Sequence, residues 1–181
     1  PRGVEGAVSL GLLALEGDGV VALCDLRPYA GDDLGWWVAS DLDELATRRP
    51  VREDHVLGIG GASTTLAAWT PRPPVARALD LGTGCGVQAL HLAQHADHVV
   101  VTDLSERALA FARFNAALDG AHWEVRSGSM LEPVAGERFD LIVSNPPFVI
   151  SPSHRFTYRD AGLAGDELSR LVVRGAAAHL A

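Results

Sequence analysis

The sequence predicts an α/β domain with a doubly wound parallel sheet, preceded by a small N-terminal α+β accessory region. Three observations support this. From Val75 onward, short β-branched runs alternate with amphipathic helical segments. A glycine-rich loop joins the first of these runs to the first helical segment. Residues 1–55 lack this alternation. Four strands make a thin sheet, so we expect the domain to be incomplete at its C-terminus.

The accessory region, residues 1–55, is predicted to contain two short strands. Residues 20–26 are β-rich and follow a turn-like segment at 16–19, and residues 36–40 form the second strand candidate. Residues 56–74 are predicted as a loop that ends in a stiff Pro-rich connector. The domain proper would then occupy residues 75–181.

Strands and helices alternate through residues 75–181. Ser105 is a favourable N-cap, and the helix after it would bury Ala108, Phe111, Ala112 and Leu118. His91, His95 and His98 are expected on a solvent-exposed face, where no third ligand supports a metal site. The predicted strands are 76–81, 99–102, 123–126 and 139–144, and the predicted helices are 86–96, 105–118 and 168–180.

Composition limits the classes of function. The chain of 181 residues has a net charge of -8, and all fifteen basic residues are arginine, so attraction of the whole domain to nucleic acid is not expected. Cys24 and Cys85 do not form a disulfide framework, and Cys85 is expected to be a small packing residue. No apolar run is long enough for a membrane helix, so we expect a cytoplasmic protein without a membrane partner.

The segment from Asp80 to Gly86 reads Asp-Leu-Gly-Thr-Gly-Cys-Gly and joins a strand to a helix. Its glycines, Gly82, Gly84 and Gly86, allow a sharp turn and the close approach of a ligand to the backbone. The following helix start favours a carboxylate-bearing ligand. The G-x-G-x-G spacing, which includes Thr83, differs from the G-x-G-x-x-G of dinucleotide-binding proteins.

Two further motifs lie at predicted strand ends. Asp103 comes 19 residues after Gly84, which is the position of a carboxylate that accepts both ribose hydroxyls of a nucleoside. After the fourth strand, Ser144 is followed by Asn145, Pro146, Pro147 and Phe148. An amino group on a planar system needs two hydrogen-bond acceptors and a surface for stacking, and this motif supplies both.

These three motifs resemble the class I methyltransferases that carry an N-P-P-F/Y motif, which have a Rossmann-like sheet. The resemblance is strong over residues 76–150. Two groups are similar: ribosomal RNA guanine-N2 methyltransferases and release-factor glutamine methyltransferases. Residues 56–66 resemble the loop that packs over the cofactor in the RNA group.

The resemblance implies S-adenosylmethionine as cofactor. By position, the backbone around Gly82, Thr83 and Gly84 would hold its methionine part, and Asp80 would orient that loop or meet the amino group. Asp103 would bind the ribose. Leu104, Ser129 and Met130 would lie near the adenine, although many relatives have aspartate in place of Ser129. Asn145 and the Pro146 carbonyl would accept hydrogens from the target nitrogen, and Phe148 would stack on its plane.

An exocyclic amino group of a nucleobase, in RNA, is our first substrate class, and a protein glutamine side chain is the alternative. Residues 151–160 mix arginines with aromatic residues, as suits phosphate contact and base stacking. A nicotinamide dehydrogenase is disfavoured by the glycine spacing and the N-P-P-F tetrad. A non-catalytic scaffold is disfavoured by the intact Asn145 and glycines. The oligomeric state is not predicted.

Overall fold

The computed structural model describes residues 3–31, 34–146 and 166–181. The accessory region begins with helix α1 (Gly3–Ser9) and two antiparallel hairpins. Strand β1 (Leu13–Glu16) pairs with β2 (Gly19–Ala22), and β3 (Asp25–Gly31) pairs with β4 (Leu34–Ser40). The short helix α2 (Glu44–Thr47) follows, and the side chain of Asp43 caps its N-terminus.

The remaining elements confirm the predicted α/β fold with a parallel sheet. The strands are β5 (Val75–Leu81), β6 (Ala96–Asp103), β7 (Glu124–Ser127) and β8 (Leu141–Ser144), in the order β7-β6-β5-β8 with all pairs parallel. Because the chain moves outward from β5 to β7 and then returns to the other side of β5, the strand order reverses beside β5. The helices are α3 (Gly61–Trp69), α4 (Val87–Leu92), α5 (Glu106–Asp119) and α6 (Glu167–Ala176), with a short 3₁₀ turn at Glu132–Val134.

Apolar residues of the sheet alternate between two cores. Ala78, Val101 and Val143 pack with Ala89 and Leu92 of α4 on one face. Leu79, Leu81 and Val100 pack with Phe139 and Val172 of α6 on the other. Helices therefore cover both faces, as a doubly wound sheet requires.

Several predicted boundaries are wrong. The expected strand at 20–26 is two strands, because the chain turns at residues 23 and 24 between hairpins, and a β-rich run does not mark such a turn. The helix predicted for 86–96 ends at Leu92, because β6 already begins at Ala96 in register with Val75. The predicted loop at 56–74 contains helix α3. The last helix ends at Ala176 rather than at residue 180. Leu180 forms an isolated β-bridge with Phe139, which lies just before the start of β8.

The Ser105 cap is confirmed, since its hydroxyl accepts a hydrogen bond from the Ala108 amide at 3.3 Å. The buried face of α5 differs from the prediction, however. Leu118 is 43% exposed, whereas Asn115 is fully buried beside Ala112. The buried face of α5, which includes Asn115, packs against β4 of the accessory region. The apolar periodicity of the helix does not reveal this because Asn115 is polar.

Side chains of α5 occupy the free edge of β4. The Trp37 amide donates to Asp119 Oδ1 at 3.0 Å. The Ala39 amide donates to Asn115 Oδ1 at 2.8 Å, and Asn115 Nδ2 donates back to the Ala39 carbonyl at 2.9 Å. These bonds take the place of a neighbouring strand and attach the second hairpin to the sheet domain.

His91 is not on a solvent-exposed face as predicted. It is half-buried between the hairpin and α4, where its Nε2 lies 2.9 Å from the Tyr29 hydroxyl and its ring packs edge-on against Trp36. Burial lowers the pKa of His91 to about 4. Among the residues that the structure describes, no helix is both long and apolar enough to cross a membrane.

Candidate functional site

A cavity of about 1040 Å³ opens at the carboxyl ends of the parallel strands. This volume lies at the upper end of the range of roughly 300–1,000 Å³ that is typical of small-molecule pockets. Asp80 and Gly86 lie beside the cavity without lining it, and Pro147, Phe148 and the loop 151–160 lie outside the described residues. The predicted site residues that line it are Gly82, Thr83, Gly84, Asp103, Leu104, Ser129, Met130, Asn145 and Pro146.

The glycine loop is tied to the neighbouring strand. The amides of Gly82 and Thr83 both donate to the Thr102 carbonyl at 2.9 Å. Gly82 and Gly84 have φ of +74° and +56°, and a Cβ on either would meet no described atom within 4 Å. The loop therefore presents bare backbone to open space, where a ligand can approach closely.

Gly86 has a different role in the loop. Its φ is +87°, and a Cβ there would lie 3.3 Å from Trp123 Cζ2 and 3.5 Å from Ala112 Cα. This glycine permits close packing of the loop against α5 rather than access for a ligand.

Asp103 ends β6 and faces the cavity. Its Oδ2 accepts from the Gly84 amide and its Oδ1 from the Ser105 amide, each at 2.9 Å. Each oxygen retains further acceptor capacity for a ligand hydroxyl. Burial raises the pKa of Asp103, and the backbone hydrogen bonds partly offset this. The adjacent Leu104 is 63% exposed and provides an apolar wall.

Asp80 is almost completely buried, at 1% exposure, beneath the glycine loop. Its Oδ2 accepts from the Thr83 hydroxyl at 2.6 Å. Burial and, to a smaller extent, the negative charge of Asp103 raise the pKa of Asp80 to about 7, against the lowering effect of the Thr83 bond. The hydrogen bond from the Thr83 hydroxyl thus connects Asp80 to the glycine loop.

The turn after β7 brings Ser129 and Met130 to the cavity next to Asp103. The Gly128 amide donates to the Asp103 carbonyl at 3.1 Å. Gly128 has φ of +151°, and a Cβ there would lie 2.6 Å from Pro133 Cγ, so this tight turn requires glycine.

Asn145 and Pro146 follow β8 on the other side of the glycine loop. The Ser144 hydroxyl donates to the Leu81 carbonyl at 2.8 Å, which aligns the ends of β8 and β5. Both Asn145 and Pro146 are half-buried and line the cavity. Their polar groups therefore border the same space as the glycine loop.

Residues 56–63, here called the strap, form another wall of the cavity. Asp41 holds one end, because its Oδ2 accepts from the Val56 amide at 2.9 Å and from Arg107 Nε at 2.9 Å. Gln88 holds the other end by donating to the Ser63 carbonyl at 2.8 Å. Burial raises the pKa of Asp41, but the hydrogen bonds from Arg107 and Val56 outweigh it and hold the pKa below its ordinary value.

Sequence reasoning missed Asp41, Arg107 and Gln88. Their partners lie far away in sequence, and no local pattern separates them from surface residues. The resemblance of residues 56–66 to a cofactor-covering loop was the one signal that pointed to the strap.

The charged residues that line the cavity are mainly acidic. Arg107, Arg27 and Arg52 form ion pairs with three of its carboxylates. Asp103 forms no ion pair with a described residue, so its charge is available to a ligand. The lining carboxylates are Asp25, Asp41, Asp43, Asp54 and Asp103.

Within the described ranges, no group of three His, Cys, Asp or Glu residues is arranged to hold a metal ion. Cys85 is buried in the core with Val38 and Leu90, in agreement with its predicted packing role. Burial raises the pKa of its thiol to about 11, which keeps the thiol mainly protonated at neutral pH and disfavours a nucleophilic role.

Comparisons with known proteins identify the family of this chain. The family described as "Methyltransferase small domain" matches residues 58–160. A release factor glutamine methyltransferase of Xylella fastidiosa is 39% identical over 159 residues, covering 81% of this chain and 56% of that protein. A ribosomal RNA small subunit methyltransferase C of Salmonella newport is 32% identical over 149 residues, covering 80% and 40%. The chain thus spans about half the length of the curated relatives it matches.

Among solved structures, the T. thermophilus 16S rRNA N2 G1207 methyltransferase (RsmC), in complex with AdoMet and guanosine, matches with a TM-score of 0.65. The match covers 99% of this chain and 51% of that one, at 16% identity. It shows that the fold is shared, including the accessory region.

Proposed function

Because this chain belongs to the methyltransferase small-domain family, we propose that it binds S-adenosylmethionine in the cavity and that the protein methylates an exocyclic amino group of a nucleobase in RNA. One observation carries the proposal. Nine predicted residues, from four separate segments of the chain, converge on one cavity at the point where the strand order reverses.

The residues present fit S-adenosylmethionine. This molecule carries a sulfonium, an ammonium and a carboxylate group beside an adenosine. The open backbone at Gly82 and Gly84 suits its methionine part. Asp103 has acceptor capacity for two ribose hydroxyls, and its unpaired charge favours a cation.

The other residues take supporting roles in this proposal. Asp80 orients the glycine loop through its hydrogen bond with Thr83. Of the two roles considered from the sequence, orienting the loop or meeting the amino group, this is the first. Leu104 and Met130 provide apolar surface for the adenine, and Ser129 lies at the same wall.

S-adenosylmethionine, when bound, supplies an electrophilic methyl group and leaves as S-adenosylhomocysteine, while the acceptor nitrogen gives up one proton to solvent. A nucleobase amino group is a poor nucleophile because its lone pair is delocalised. The Asn145 side-chain carbonyl and the Pro146 carbonyl accept hydrogen bonds from its two N–H groups and favour the pyramidal form that reacts. The resemblance assigns the stacking role to Phe148, which lies outside the described residues. Rate then comes from positioning and preorganised polarity, without a dedicated general base.

RNA is our first choice of substrate because the structural likeness to the rRNA methyltransferase extends through the accessory region, which forms part of the cavity wall. A base in a duplex would have to leave the stack to reach this cavity. A glutamine side chain is the second candidate. The higher identity to the release factor enzyme, 39% against 32%, favours it.

The test is transfer of a labelled methyl group from S-adenosylmethionine by the full protein, given ribosomal subunits and release factor in parallel. Label that nuclease releases supports the RNA proposal, and label that only protease releases supports glutamine. Asn145→Ala should lower kcat by about 100-fold or more, since it removes an acceptor for the reacting group. The exposed Asp97→Ala is the control. Full activity of Asn145→Ala would contradict the mechanism.

A further inference from the structure

Asn115 lies in the C-terminal half of α5 and is completely buried. Its Oδ1 accepts from the Ala39 amide, and its Nδ2 donates to two carbonyls, that of Ala39 at 2.9 Å and that of Cys85 at 2.7 Å. These three bonds use the acceptor and both donors of the amide, so the orientation of the side chain is fixed.

The Cys85 carbonyl belongs to the glycine loop. Cys85 stands between Gly84 and Gly86, both of which have positive φ, so the loop has no regular hydrogen-bonding ladder to hold its peptide planes. Asn115 holds the carbonyl side of the Cys85–Gly86 peptide unit, whose amide donates to the Thr83 carbonyl at 2.9 Å. One residue earlier, the Gly84 amide is held by Asp103. The part of the loop that faces the cavity is therefore fixed from two sides.

The same amide also bonds both backbone groups of Ala39 in β4. A single side chain thus connects the accessory hairpin, helix α5 and the glycine loop. Because a buried amide that loses a partner is costly, displacement of any one of the three disturbs the others.

We propose that Asn115 is a positioning residue for cofactor binding, which holds the Cys85 carbonyl so that the loop amides keep the orientation that S-adenosylmethionine requires. This inference rests on the proposed function. Asn115 does not line the cavity, so its effect is indirect and should fall on binding of the cofactor rather than on the chemical step.

The test compares Asn115→Ala and Asn115→Asp with the matched control Asp119→Ala in the full protein. Asp119 makes the other bond from α5 to β4, to the Trp37 amide, and does not contact the glycine loop. Asn115→Asp keeps the acceptor for the Ala39 amide and the size of the side chain, so it remains informative if Asn115→Ala does not fold. Calorimetric titration with S-adenosylmethionine, below the unfolding temperature of each variant, gives Kd.

We expect Kd and KM for S-adenosylmethionine to rise about tenfold in both Asn115 variants, with kcat at saturating cofactor within about twofold of wild type. Asp119→Ala should keep the wild-type Kd. Unchanged Kd in the Asn115 variants would overturn the inference alone, as would an equal loss in Asp119→Ala. Wild-type protein that does not bind the cofactor would overturn the proposed function, and this inference with it.

Discussion

The carboxylate of Asp103 accepts a 2.9 Å hydrogen bond from the backbone amide of Gly84. The bond joins the end of β6 to the loop that leaves β5, so the two motifs that the sequence places 19 residues apart form one unit. A ligand that contacts either motif contacts a surface whose shape both determine.

Removal of the Asp103 carboxylate should therefore weaken cofactor binding strongly. Asp103→Ala loses the acceptors for the ribose hydroxyls and frees the Gly84 amide. We expect Kd for S-adenosylmethionine to rise about 10- to 100-fold in a calorimetric titration. Asp97→Ala, at the exposed opposite end of the same strand, is the control and should bind as wild type does. Equal affinities for the two variants would remove Asp103 from the site.

Alanine at two glycines of the loop should give opposite profiles. Each substitution should lower the free energy of unfolding by about 1 kcal/mol, because alanine is strained at the positive φ of Gly84 or Gly86. At Gly84 the new methyl group enters the cavity, so binding should weaken about tenfold or more with little additional loss of stability. At Gly86 it meets Trp123 at 3.3 Å, so the melting temperature should fall further. Thermal unfolding and cofactor titration of both variants test this. A larger loss of stability in Gly84→Ala than in Gly86→Ala, with unchanged cofactor binding, would contradict it.

The buried Asp80 should make stability depend on pH. Its folded pKa of about 7 lies above its ordinary value, so the unfolded chain ionises first as pH rises, and stability is lost between about pH 4 and pH 7. His91, whose pKa is lowered to about 4, acts in the opposite direction over part of this range. A comparison with Asp80→Asn isolates the Asp80 effect, because asparagine can still accept from Thr83.

The unfolding free energy of Asp80→Asn relative to wild type should therefore increase from pH 4 to pH 7, by up to about 2 kcal/mol between pH 5 and 7. Chemical denaturation at several pH values measures it. A pH-independent difference between the two proteins would show that Asp80 ionises normally.

The ion pair that holds the strap should contribute both to stability and to cofactor affinity. Arg107→Ala leaves the buried Asp41 carboxylate without its cation. We expect the free energy of unfolding to fall by about 2 kcal/mol. Because Asp41 also binds the Val56 amide, the strap should be held less firmly and the Kd for S-adenosylmethionine should rise. Arg170→Ala breaks an exposed pair with Asp166 and should change neither quantity measurably. Similar behaviour of the two variants would argue against a role for the pair.

The sequence predicted those features that depend on near neighbours. The strand 76–81, the glycine loop and the Ser105 cap are set by residues within a few positions of each other, and the structure contains all three. Convergence of the three motifs followed from the rule that parallel strands end at one edge of the sheet.

Features that depend on distant partners were not predicted. Asn115 looks like an ordinary polar helix residue until Ala39, 76 positions earlier, is placed beside it. Likewise, the short turn after α4 and the early start of β6 depend on pairing with Val75, which outweighs the helix propensity of alanine at position 96.

The closure of the β4 edge by α5 also bears on where the chain can be cut. A fragment that starts at residue 56 would carry Asn115 and Asp119 without Trp37 and Ala39, the backbone groups they bond. It would also expose Leu90 and Ala108, which now pack against Trp36 and its neighbours. The smallest autonomous folding unit should therefore include the second hairpin, even though the motifs that identify the family all lie beyond it.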